Sequence, residues 1–308
     1  MENQLPLLNR LNIYQKERFP LISHGVIISI FTFSAISYSR LSRGMTGFID
    51  IQDFLIGVFA SISLFLLVRI FDEFKDQEED AQYRSYLPVP RGLVSLKELK
   101  IVAWIVGVCQ ITVIAVFQTE MLLLYAVVML YLLFMLVEFF VPKWLKKRQL
   151  IYITSHMLII PLIDLYSSGL DWLGSAAFHY GIIWFMAVSY VNGLVLEIGR
   201  KIRVPSTEEI GVLSYTKLFG TRKAVVVWLA LLSFTTMLSI GAAWFAGFGS
   251  ISIIVFVSFF LLSAIPAISF LVKPNETKSK WIEHASGIWT ALMYLSLGAI
   301  PMIKNLLT

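Results

Sequence analysis

The stretch RIFDEFKDQEEDAQYRSYLPVPRGLVS, Arg69 to Ser95, decides how this chain is read. An apolar run, Phe54 to Phe71, leads straight into it. Six of the 20 acidic residues then crowd into nine positions: Asp72, Glu73, Asp76, Glu78, Glu79 and Asp80. In a helix that continues through the run, Asp72, Asp76 and Asp80 stand at i, i+4 and i+8 on one face. Carboxylates stacked this closely repel one another unless water or a divalent cation separates them. Their hard oxygens suit Mg²⁺, which takes a few carboxylates and completes its shell with water and substrate phosphates. A hydrated acidic loop at a membrane surface is the competing reading of the same spacing.

Outward from this stretch the chain is apolar. Of 308 residues 57% are hydrophobic and 15% charged, with a mean hydropathy of +0.77; soluble domains carry about 25% charged residues. The apolar residues fall into runs long enough to span a bilayer as helices: 19–38, 54–71, 96–117, 121–141, 150–170, 178–198, 224–245, 250–272 and 284–303. The expectation is an all-α, polytopic membrane protein of nine transmembrane helices, with residues 1–308 as one domain. Residues 1–18 read as an interfacial helix with Leu5, Leu8, Leu11 and Ile13 on one face, and no cleavable signal is apparent. Cys109 is alone, which excludes an intrachain disulfide. A net charge of +5 is too small to argue for nucleic acid.

Charge placement tests the helix count. With the N-terminus inside, all of the 25 Lys and Arg except Arg40, Arg43, Arg69 and Lys304 fall on the inner side. That asymmetry follows the positive-inside rule and puts the N-terminus and both charged loops in the cytoplasm, with the cell membrane as the expected location. The second such loop is 197–223, EIGRKIRVPSTEEIGVLSYTKLFGTRK. Two acidic segments at one membrane face, 72–95 and 197–223, can enclose metal ions from two sides. The cations among them can hold a polyanion such as a diphosphate. Plain anchoring by Arg200, Lys201 and Arg203, and a simple Glu197–Lys201 ion pair at i, i+4, are the alternatives.

With these motifs the chain resembles the UbiA superfamily of intramembrane prenyltransferases. The family's NDxxDxxxD motif matches Asp72-Glu73-Phe74-Lys75-Asp76-Gln77-Glu78-Glu79-Asp80, and its RPLPSGxIS-like segment matches Leu87-Pro88-Val89-Pro90-Arg91-Gly92-Leu93-Val94-Ser95. Its second motif, DxxxD, places Glu197 at the first Asp and Lys201 at the second. Leu87 stands where the family has Arg, and Glu208-Glu209 sit in a longer loop. The second metal site is therefore weakened, rebuilt with Glu208 or Glu209, or replaced by direct lysine–phosphate contact.

The resemblance implies a nine-helix bundle with a central cavity. It implies Mg²⁺ as cofactor, held by Asp72, Glu73, Asp76, Asp80 and Glu197. It implies a prenyl diphosphate and a lipophilic acceptor as partners, within the lipid bilayer. Arg84, Arg91, Lys147, Arg200 and Lys201 are the diphosphate candidates, with Lys146 in place of Lys147 as a further possibility. Polar residues inside the spans, Glu138, His156, Asp164 and Asn192, are expected to face the bundle interior. His156, Asp164 and Asn192 are pocket candidates, with interhelical hydrogen bonding as the alternative. A terpene cyclase and a non-catalytic transporter or assembly protein are the other functions the scaffold allows.

Overall fold

The computed structural model describes residues 5–174, 178–209, 211–212 and 214–307. Residues 1–4 of the expected interfacial segment, and 210 and 213 of the second charged loop, lie outside that description. Among the described residues every regular element is helical, and nine segments are long and apolar enough to cross a bilayer.

The short surface helix α1 (Leu7–Arg18) precedes the spans α2 (Leu21–Ser42) and α3 (Ile51–Lys75). The acidic stretch forms α4 (Gln77–Tyr83), followed by the spans α5 (Leu96–Phe117) and α6 (Leu122–Leu136). A five-residue helix, α7 (Pro142–Lys146), leads to the fifth span, which is split into α8 (Gln149–Met157) and α9 (Ile159–Trp172). Then come α10 (Gly181–Gly199), the short α11 (Tyr215–Phe219), α12 (Thr221–Phe245) and α13 (Ile251–Val272). The last span is α14 (Glu276–Tyr294), continued through a π-helical turn (Leu295–Ala299) into α15 (Ile300–Leu307).

Two boundaries differ from expectation by more than four residues, each for a local reason. The last span starts at Glu276 rather than His284 because Asn275 caps it, its side chain accepting from Lys278 N at 2.9 Å. The polar first turns are invisible to hydropathy. The fourth span ends at Leu136 rather than Val141 because Glu138, Phe139 and Phe140 have φ of 46, 52 and 63°. A right-handed helix cannot continue through three left-handed residues.

Prolines act as their chemistry requires. Pro161 has no N–H for the Met157 carbonyl, and the fifth span breaks at Leu158. Pro301 follows the π-turn that absorbs its missing donor. Pro266 lies inside a helix that stays unbroken.

Neighbouring helices pack in sequence around a ring, α2–α3–α5 and α6–α9–α10–α12–α13–α14, and α14 with its π-turn closes back on α2. Helices in lipid associate through close packing rather than through the hydrophobic effect. Gly298 shows how close: a Cβ there would strike the Ser34 backbone of α2. Buried aromatics fill the centre, Phe31 edge-on to Tyr294 at 5.2 Å and Tyr38 stacked on Phe185 at 5.0 Å. At the end away from the acidic stretch, Asp171 of α9 accepts from Ser39 at 2.8 Å and pairs with Arg43 at 2.7 Å and Arg40 at 3.4 Å.

Helix α1 does more than lie at an interface. Tyr14 is buried with Ile70, Leu93, Val94 and Leu99 in a small separate core, against which Leu11 and Ile13 pack; Leu8 stays exposed. Three ion pairs fasten α1 to α5, to the motif loop and to α3: Arg10–Glu98 (2.6 Å), Glu17–Arg91 (2.8 Å) and Arg18–Glu73 (2.7 Å). The loop itself turns at Gly92, whose φ of 76° suits only glycine without strain. It ends in a capping box, where Ser95 and Glu98 bond each other's backbone N–H.

Candidate active site

The ends of the second, fourth, fifth and sixth spans on the side of the acidic stretch meet around one cavity of about 670 Å³. From the α3–α4 junction come Asp76, Glu78, Glu79, Asp80 and Arg84. From the α6–α8 side come Glu138, Lys146, Tyr152, His156 and Met157. From α10–α11 come Glu197, Lys201, Tyr215 and Lys217. Charged loops from three different connections therefore share one space above an apolar bundle.

The acidic stretch does not run on as one straight helix. It bends at Asp76 (φ −94°, ψ 8°), although the i to i+4 bonds Asp76 N to Asp72 O (2.9 Å) and Asp80 N to Asp76 O (2.8 Å) persist. The bend separates the carboxylates into two groups. Asp72 is held by Lys75 at 2.9 Å and faces Arg69 at 3.8 Å. Glu73 is buried between Arg18 (2.7 Å) and Arg69 (3.0 Å). Neither lines the large cavity.

Asp76 and Asp80 do line it. Asp80 pairs with Arg84 at 3.1 Å, whereas Asp76 has no ion-pair partner among the described residues. Burial pushes the Asp76 carboxyl up to about 6, with Lys75 opposing and Asp72 and Asp80 adding to the rise. Burial likewise raises Asp80, against the pull of Arg84.

Among the described residues no three His, Cys, Asp or Glu side chains are already gathered into a metal cage. The donors at Asp76 and Asp80 nevertheless fit Mg²⁺, whose sites commonly use one or two carboxylates and leave the rest to water and phosphate. An otherwise unpaired carboxylate facing a cavity is where such an ion would be held.

The other candidates separate in the same way. Arg84 and Lys201 line the cavity. Arg200 points its guanidinium at Glu197 and does not line it, and Arg91 is spent on Glu17 and the Tyr86 carbonyl. On the loop after the fourth span, Lys146 rather than Lys147 reaches the cavity. His156 lines it, with its Nδ1 bonded to the Tyr152 carbonyl at 2.8 Å and its ring stacked on Tyr152 at 4.0 Å. Asp164 and Asn192 lie deeper. Asn192 donates to Thr290 at 3.2 Å, and Asp164 is fully buried beside Ser189.

Sequence reasoning left Tyr152, Tyr215 and Lys217 unremarked, and its pocket set omitted Glu138, which is 5% exposed and lines the cavity on the left-handed turn. Glu138 carried one usable signal, an acidic residue ending an otherwise apolar run. Lys217 carried none, because it reaches the site only through the fold of its loop.

The model of the UbiA prenyltransferase family matches residues 30–296. Among solved structures the chain is similar to that of digeranylgeranylglyceryl phosphate synthase, with 18% identity over 95% of this chain and 99% of that one and a TM-score of 0.63. It is also similar to a UbiA homologue from Aeropyrum pernix K1 without ligand, at 16% identity over 90% and 97% and a TM-score of 0.66. A UbiA homologue from Archaeoglobus fulgidus, bound to GPP and Mg²⁺, matches at 11% identity over 88% and 96% with a TM-score of 0.52. None of the curated protein sequences matches significantly.

Proposed function

The chain belongs to the UbiA prenyltransferase family, and from that premise we propose that it transfers an isoprenyl group from an allylic prenyl diphosphate to a lipophilic acceptor. One observation carries this reading: Asp76 and Asp80 share a cavity with Lys146, Lys201 and Lys217 at the end of an apolar bundle. Carboxylates to hold a divalent cation and ammonium groups to hold phosphate are what diphosphate ionisation needs.

In the proposed reaction the allylic C–O bond breaks with its electron pair leaving on pyrophosphate, the acceptor captures the carbon, and the proton the acceptor loses passes to the released pyrophosphate. Mg²⁺ held by Asp76 and Asp80 would supply Lewis-acid stabilisation of the leaving group. Arg84, Lys146, Lys201 and Lys217 neutralise the remaining negative charge. Tyr152 and Tyr215 offer π-faces to a developing carbocation, and Met157 continues the lining toward the membrane interior. The motif end faces the cytoplasm in this proposal, and the membrane is the cell membrane.

The test is purified protein in detergent with Mg²⁺ and allylic diphosphates of 10 to 20 carbons. Pyrophosphate release that depends on an added acceptor, and falls roughly a hundredfold or more in Asp76→Ala, supports transfer. Release with a cyclic hydrocarbon and no acceptor means a cyclase. No release from the unmodified protein overturns the proposal.

A further inference from the structure

The second metal position suggested by the motif resemblance does not fit a metal. Both oxygens of Glu197 are already taken by cations, Oε1 by Lys201 Nζ at 2.6 Å and Oε2 by Arg200. Its own loop offers no replacement for Glu197, and the other carboxylate on that side of the cavity is Glu138, on the left-handed turn. Glu208 accepts from Ser214 and Thr216 hydroxyls at 2.9 Å each, and Glu209 accepts from Tyr86 at 3.1 Å. Neither lines the cavity. The Lys201 ammonium does face it, 6.0 Å from the centre of the Tyr215 ring.

We infer that Lys201 stands in for a second divalent cation, so that the protein holds one metal ion, on the Asp76–Asp80 side, and binds diphosphate on the other side through a tethered ammonium. An ammonium is a compact point charge with three rotatable donors, well suited to a phosphate oxygen. Glu197 positions it: the carboxylate fixes Nζ at the cavity edge while Arg200 offsets the carboxylate's own charge. The inference rests on the proposed diphosphate chemistry.

Metal counting separates the two. The full-length protein in detergent is dialysed to equilibrium against Mn²⁺ and inorganic pyrophosphate, and metal and phosphorus are counted per chain. The unmodified protein is expected to hold one Mn²⁺ and one pyrophosphate. Lys201→Met keeps one metal and loses pyrophosphate affinity roughly ten- to a hundredfold, and Lys201→Arg restores most of it. Lys201→Asp, which offers a second carboxylate, gains a second Mn²⁺.

Two Mn²⁺ on the unmodified protein would overturn the inference while leaving the diphosphate reading intact, and so would unchanged pyrophosphate affinity in Lys201→Met. A Lys201→Asp protein that stays at one metal overturns the substitution claim. Binding of neither Mn²⁺ nor pyrophosphate by the unmodified protein ends both. Lys201 is 37% exposed, so these variants test binding rather than folding.

Discussion

At the scale of single residues, the motif carboxylates divide into those that face the cavity and those that hold the motif in place. Asp76 is the proposed metal ligand whose proton competes near neutrality, because its carboxyl sits at about 6 against an ordinary value of about 3.9. A metal binds only the deprotonated form. The Mg²⁺ concentration for half-maximal pyrophosphate release should therefore stay flat above pH 7 and rise up to roughly tenfold per unit below about 6. A profile flat down to pH 5 would count against Asp76 as a ligand. Glu73, which does not line the cavity, should matter for stability instead. Glu73→Gln leaves Arg18 and Arg69 without their shared anion. It should lower stability by about 1–3 kcal/mol, less than a fully buried pair because both arginines are partly exposed. A denaturant melt in detergent reads this, with the Mg²⁺ half-saturation point little changed.

At the scale of elements, α1 behaves as a brace on the first motif. Tyr14→Ala removes the side chain at the centre of the small core shared with Leu93, Val94 and Leu99. It should destabilise the protein by about 2–4 kcal/mol, and limited proteolysis should then cut within the 84–95 loop before any span unfolds. The brace was not legible in the sequence. Leu5, Leu8, Leu11 and Ile13 suggested a lipid-facing stripe, whereas the decisive contact is made by Tyr14 and by three ion pairs between residues more than fifty positions apart in sequence. The spans themselves were legible because apolar length alone specifies a bilayer helix. Their ends were less so, since caps such as Asn275 and left-handed residues such as Phe139 act locally and leave no hydropathy signal. The site was half legible. Spacing named Asp76 and Asp80 and the motif resemblance named Glu197 and Lys201, all of which line one cavity, but the bend at Asp76 that turns Asp72 and Glu73 away could not be read from a regular i, i+4 pattern.

At the scale of the whole molecule, the odd number of spans among the described residues and the charge asymmetry make one checkable claim about orientation. In a Cys109→Ser background, a membrane-impermeant maleimide should label Glu78→Cys only from the cytoplasmic side and Asp50→Cys only from the opposite side. The reverse pattern would invert the topology while leaving the fold unchanged. The ring of helices also differs between its two ends. One end carries the charged cavity, and the other is tied by Asp171 to Ser39, Arg40 and Arg43, with Tyr38 bonding the Ala242 carbonyl at 2.9 Å beside it. That knot has a bioenergetic consequence. A pore open at both faces of a bilayer would short-circuit an ion gradient. The charged cavity is a recess at one end of the bundle, and α2, α9 and α12 are tied together at the other, so liposomes carrying the protein should hold a voltage.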